Sequence, residues 1–181
     1  MATIDFLVST LFTVITLLFL LRLWLQLVSA DYYNPISQFV VKVTHPLVRP
    51  LRRALPSIGR LDTASLVLAI AVVWLGVFVR LLIAGSGIQP LVALLLTPQL
   101  LASACLDLLF YVLIGRVILS WVSQGHNPME RLLGQMTEPL LAPIRRIVPP
   151  VGGLDLSVMA LMFIIYLVRY YLLPDLLGIR L

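Results

Sequence analysis

The chain has 181 residues, 61% of them hydrophobic and only 12% charged, with a net charge of +5. Soluble domains run near ~45–50% apolar and ~25% charged, and a water-soluble fold of this length has too little interior for so much apolar surface. The class is therefore integral membrane. The basic excess reads as membrane topology, and no direct nucleic-acid contact is expected. The one cysteine, Cys105, excludes an internal disulfide framework or a thiolate metal site within one chain.

A hydrocarbon core of ~30 Å takes about 20 helical residues to cross. The first apolar stretch of that length covers residues 4–28. "VSAD" at 28–31 resembles a signal cleavage site, but the preceding region carries Asp5 and no Lys or Arg, and the apolar run is too long. It is expected to be a retained span. Further spans are predicted over 64–84, 98–122 and 156–173. Residues 91–96 either extend the third span past a kink at Pro98 or lie flat outside it.

Basic residues set orientation. Lys42, Arg49, Arg52, Arg53 and Arg60 lie between spans one and two; Arg131, Arg145 and Arg146 lie between spans three and four. The other side offers Arg180, and residues 85–97 carry no charge. Both connections are thus expected to be cytoplasmic and both termini outside.

The two connections repeat each other. "THPLVRPLRRALPSIGRLD" returns 93 residues later as "TEPLLAPIRRIVPPVGGLD". Over 34–62 against 127–155, 12 of 29 positions are identical. The matched pairs are Asn34/Asn127, Pro35/Pro128, Thr44/Thr137, Pro46/Pro139, Leu47/Leu140, Pro50/Pro143, Arg52/Arg145, Arg53/Arg146, Pro56/Pro149, Gly59/Gly152, Leu61/Leu154 and Asp62/Asp155. Most are polar, Pro or Gly, so shared greasiness cannot produce them. Upstream, Arg22 matches Arg116 after a one-residue change in loop length. The chain reads as two tandem halves, 1–86 and 87–181, each a span, a connection and a span. An even number of spans per half keeps the halves parallel.

Within segments 34–56 and 127–149, apolar residues recur at spacings of three and four, from Ile36, Phe39, Val40 and Val43 onward and from Met129, Leu132, Leu133 and Met136 onward. Basic residues lie between them. That pattern predicts amphipathic helices in the membrane interface, facing anionic headgroups. Pro46 and Pro139 are expected to break each connection into two short helices, at Thr44–His45 and Thr137–Glu138. Pro50 and Pro143 are expected to bend the second, and Pro56 and Pro149 to stop it. Gly59 and Gly152 supply turns, and Asp62 and Asp155 suit helix caps, with bonds to the preceding arginines a further option.

"R-x3-S-W" at 116–121, then "NP", "TEPLLAPIRRIVPP" and "GGLDLS", resemble the YggT family of small bacterial membrane proteins, whose plastid relatives are named YlmG. The first copy differs: His45 stands opposite Glu138, Ala64 opposite Ser157, and Leu27 opposite Trp121. Composition, spans and repeat together predict an all-α membrane protein of four spans in two tandem parallel halves, and the resemblance implies a bacterial inner membrane, with the termini periplasmic. It also implies links to osmotic-stress tolerance and to potassium or other ion uptake in bacteria, and to cytochrome maturation and nucleoid or division behaviour in plastids.

Arg22 and Arg116 sit about six residues inside their spans. They suit snorkelling, bonding to carbonyls of the following connection, or an anion contact. Asp107 is a carboxylate deep in span three, so it must be paired, protonated or wet; Arg80 and Arg169 are candidate partners. The Arg52-Arg53 and Arg145-Arg146 pairs suit acidic lipid, a membrane-protein partner or a second copy, or topology alone. His45 and His126 do not correspond under the repeat, and no nucleotide loop, GxSxG or HExxH occurs. A non-enzymatic membrane adaptor or assembly factor is expected, without catalytic residues, cofactor or metal; an ion-transport component is the alternative.

Overall fold

A computed structural model describes residues 2–122, 127–148 and 155–177. Expectations placed on His126, Pro149, Gly152, Leu154 and Arg180 lie outside them. The described residues are helical apart from short connections: α1 (Ala2–Leu27), α2 (Pro35–Ala54), α3 (Thr63–Ile83), α4 (Pro90–Val122), α5 (Pro128–Arg145) and α6 (Leu156–Leu167). A π-helical turn, Val168–Leu172, and α7 (Leu173–Leu177) continue α6. Four helical stretches are long and apolar enough to cross a membrane: α1, α3, α4 and the run Leu156–Asp175. Residues 91–96 fall inside α4, which opens at Pro90 and passes Pro98 without interruption.

Local chemistry accounts for the helix starts. Asn34 Oδ1 accepts from the Ile36 amide at 3.0 Å, and Asn127 Oδ1 from the Met129 amide at 2.9 Å. The following proline occupies the first turn, where a missing N–H leaves nothing unmade. Asp62 accepts from the Ser65 amide at 3.4 Å to cap α3, and Asp155 from the Ser157 amide at 3.2 Å to cap α6. Between α2 and α3, Ile58 and Leu61 exchange backbone hydrogen bonds of 3.1 and 3.0 Å around Gly59 and Arg60. Gly59 has φ of 60°, a left-handed conformation that favours glycine.

The connections differ from the expected pairs of short helices. α2 runs unbroken through Pro46 and Pro50, and α5 through Pro139 and Pro143. Proline forbids the hydrogen bond to the carbonyl four residues back, which here belongs to Lys42, Pro46, Gln135 and Pro139. All four residues are exposed, on the side of each helix turned away from its own protein. Thr44 and Thr137 reinforce the turn before each first proline by donating to the Val40 and Leu133 carbonyls, at 2.6 and 2.7 Å.

The chain divides into two compact units, residues 1–29 with 39–105 and residues 30–38 with 106–181. In the first, α1 packs along α3 at Gly76, where an added Cβ would lie 2.9 Å from the Phe12 Cβ and Cγ. Without a hydrophobic drive between helices in lipid, such small-residue contacts set how closely they approach. In the second, Leu113, Leu141, Val158, Leu161 and Ile165 form the core, flanked by Phe110, Val117 and Ile144. Asn34 Nδ2 donates to the Pro128 carbonyl at 2.9 Å, and the Asp31 amide to Gln135 Oε1 at 3.2 Å. These bonds seat residues 30–38 on α5.

Gly76→Ala should push Phe12 away and cost about 1–3 kcal/mol. Gly134→Ala, where a Cβ meets nothing within 4 Å, should instead gain up to about 1 kcal/mol of helix propensity. Unfolding of the two purified variants in one detergent compares them directly.

Candidate functional site

In the first unit a carboxylate at the start of the second span gathers the ends of three helices. Asp62 is fully buried. It accepts from Arg22 Nε of α1 at 3.3 Å and from Arg52 of α2 at 3.3 Å through Nε and 2.7 Å through Nη2. The Ser65 hydroxyl donates to it at 2.6 Å. Arg22 is only 5% exposed; it also donates to Thr44 Oγ1 at 2.7 Å and to the Val41 carbonyl at 3.3 Å. Its options therefore resolve to a carbonyl and a carboxylate inside the fold. Burial opposes ionisation of Asp62, yet the bonds from Arg52 and Ser65 outweigh it and hold the carboxyl below its ordinary value.

The second unit is wired differently. Arg116 donates to Thr137 Oγ1 and, at 3.4 Å, to Glu138. Arg145 donates to Glu138 at 2.7 Å and to Asp155 at 3.1 and 2.6 Å, and the Ser157 hydroxyl donates to Asp155. Glu138 thus relays between the two arginines where the first copy has His45. Asp155 is also held below its ordinary pKa: burial opposes this, and the bonds from Arg145 and Ser157 prevail. Arg145 is correspondingly raised, chiefly by its bond to Asp155.

The arginine pairs are thereby divided. Arg52 and Arg145 bind carboxylates within the fold, whereas Arg53 and Arg146 are exposed and enter no ion pair among the described residues. Lys42, Arg49, Arg60 and Arg131 are exposed as well. α2 presents three faces. Ser37, Val40, Thr44 and Val48 are buried; Phe39, Val43 and Leu47 are exposed apolar side chains; Lys42, Arg49 and Arg53 are exposed cations. In α5 the counterparts of Phe39 and Val43, Leu132 and Met136, are buried.

Asp107 pairs with Arg169, accepting at 3.0 and 3.4 Å, and Arg169 also lies 5.3 Å from the Tyr170 ring centre. The other candidate, Arg80, instead binds Asp5 at 2.8 Å. Sequence reasoning missed the Arg80–Asp5 pair, although one lone acid and one lone arginine near the same ends of α1 and α3 were a usable signal. Glu138 as a relay was also missed.

Four helices able to span, two tandem units and a polar clamp in each define a multi-span helical membrane protein with an internal repeat. The CCB3/YggT family model matches residues 1–83 and again 94–176, and the chain belongs to that family. It is 47% identical over 180 residues to an uncharacterised Vibrio alginolyticus protein of the proC 3′ region, covering 98% of this chain and 97% of that one. It is 41% identical over 170 residues to the uncharacterised protein YggT of Escherichia coli, covering 93% and 88%. An uncharacterised Pseudomonas aeruginosa protein is 45% identical over 155 residues, covering 84% and 79%. No solved structure matches.

Asp62→Asn strands the buried Arg22 and should cost about 3–5 kcal/mol. Asp155→Asn, at a pair whose side chains are 30% and 32% exposed, should cost nearer ~1 kcal/mol. Both aspartates titrate below their unfolded pKa of ~3.9. Their stabilisation is therefore complete above that value and lost as pH falls through the folded values. Detergent-phase unfolding between neutral and acid pH should show this loss, and Asp62→Asn should flatten it.

Proposed function

We propose that this protein is a non-enzymatic membrane adaptor or assembly factor that presents its basic connections at the cytoplasmic face of a bacterial inner membrane. The observation that carries the reading is the three-way division of α2. A helix with one face on its own protein, one apolar face open and one cationic face open suits a membrane surface, where the open faces meet acyl chains and headgroups. Arg52 and Arg145 hold the connections to the spans, which leaves Arg53 and Arg146 directed outward. These cations, with Lys42 and Arg49, are suited to acidic headgroups or to an acidic face on a membrane protein or a second copy. The basic connections lie inside and the termini outside, by the bias in Lys and Arg.

Depth tests the reading. With Cys105 replaced by Ser, nitroxide labels on Val43→Cys and Arg49→Cys should differ in reconstituted bilayers. The first should be relaxed preferentially by oxygen, the second by a water-soluble nickel chelate; two water-like labels would refute the interfacial placement. Orientation is checked by an impermeant maleimide on intact cells. Ile88→Cys should react and Ser57→Cys should not.

Charge is tested by Arg53→Glu with Arg146→Glu. Each lost cation removes about 1 kcal/mol of attraction to an acidic surface, roughly fivefold. Crosslinked partner or retained anionic lipid should fall at least that far, while an ion-transport role would be insensitive.

A further inference from the structure

We propose that the second unit holds one phospholipid with a zwitterionic headgroup, seated in the cavity between Arg116 and Asp155. The cavity has a volume of about 510 Å³, within the ~300–1,000 Å³ usual for ligand sites. Its polar lining consists of Arg116, Ser120, Glu130, Arg131 and Asp155. Its apolar lining includes two exposed side chains, Trp121 at 74% and Met159 at 60%. A charged lining beside exposed apolar side chains fits a molecule with a polar head and an apolar tail. Trp is also a residue type that settles at the headgroup level.

The first unit serves as an internal control, because the repeat places a corresponding residue at each cavity-lining position. Gly134 stands where α2 has Val41, and Ser120 stands where α1 has Gln26. In the first unit Gln26 reaches Arg52 at 2.7 Å and Arg22 reaches Asp62 at 3.3 Å, so side chains close the gap. In the second unit a Cβ on Gly134 would meet nothing within 4 Å. Two small residues and a relayed ion pair thus leave a space that the same scaffold elsewhere fills.

The charge balance selects the headgroup. Arg116, Arg131, Glu130 and Asp155 line the cavity, and Glu138 and Arg145, bonded to Arg116 and Asp155, bring the local count to three cations and three carboxylates. Guanidinium groups bind phosphate oxygens in forked geometry, so the phosphodiester lies toward Arg131 and Arg116, with the amine toward Glu130. Against that balance an acidic headgroup would add a negative charge without a matching cation, whereas a zwitterionic one leaves the site neutral. The acyl chains leave past Trp121, Val117 and Met159. The proposal shares with the preceding reading only the placement of α5 at the membrane surface.

Native mass spectrometry of the full chain in detergent, with phosphatidylethanolamine, phosphatidylglycerol or inorganic phosphate added separately, tests it. The wild type should retain one phosphatidylethanolamine, and phosphatidylglycerol should bind about tenfold more weakly. Gly134→Val, which places the first copy's side chain in the space, should lower occupancy about tenfold, as should Arg131→Gln. Helical circular dichroism should be unchanged in both. Inorganic phosphate should not displace the lipid.

Failure of the wild type to retain lipid, equal binding of the two lipids, displacement by phosphate, or full occupancy in folded Gly134→Val would each overturn the proposal. If Gly134→Val does not fold, Arg131→Gln decides alone, since that side chain is exposed and enters no ion pair among the described residues. Lost lipid retention with unchanged nitroxide depths in α2 would refute this site and leave the interfacial reading standing.

Discussion

A carboxylate without access to water must be neutralised by its own protein, and Asp62 meets that demand with arginines from two different helices. Lipid provides no hydrophobic force to press helices together, so polar contacts of this kind decide which ends meet. The clamp joins the end of α1, the end of α2 and the start of α3. It also supports a helix that is weak alone, since α2 contains two internal prolines and each costs ~3 kcal/mol in an unsupported helix interior. Arg22 makes the link concrete: the guanidinium that binds Asp62 also binds the Val41 carbonyl and Thr44, in the turn before Pro46. The orientation of α2, and with it the separation of apolar and cationic faces, depends on that buried charge.

The two copies meet one requirement with different residues. In the first, two arginines converge on one aspartate; in the second, Glu138 intervenes, so two arginines meet two acids. His45 in place of Glu138 is therefore accompanied by a rewired clamp, with Arg22 reaching the cap directly. Asp62 is consequently sealed, whereas the Asp155 side chain remains 32% exposed. Exposure in the second copy and closure in the first are what distinguish their surfaces, although the motifs read alike.

Much of this was legible in the residues. Long apolar runs mark the spans. Identities at Asn, Pro, Arg and Asp positions mark the repeat, because those types serve locally in capping, first-turn placement or charge pairing. The continuity of α2 and α5 was not legible. Proline rules describe a helix standing alone, and here the freed carbonyls lie on exposed residues while tertiary bonds hold the turn before Pro46. The partner of Asp107 was not legible either, because span boundaries inferred from hydropathy are too loose to distinguish Arg80 from Arg169. Nor does spacing indicate that Arg52 and Arg53, adjacent in sequence, point to different environments.

Helix register explains why the second clamp needs a relay. In the first unit, Asp5 and Arg22 are 17 residues apart on α1, and Asp62 and Arg80 are 18 apart on the adjoining span. At 1.5 Å per residue both separations are about 26 Å, so direct ion pairs form at both ends. In the second unit, Asp107 and Arg116 are 9 residues apart, but Asp155 and Arg169 are 14 apart. With Asp107 and Arg169 joined, Asp155 lies about 7.5 Å beyond the level of Arg116. Glu138 and Arg145 occupy that interval, one bonded to Arg116 and the other to Asp155. The five-residue mismatch thus accounts for the relay and for the open space beside it.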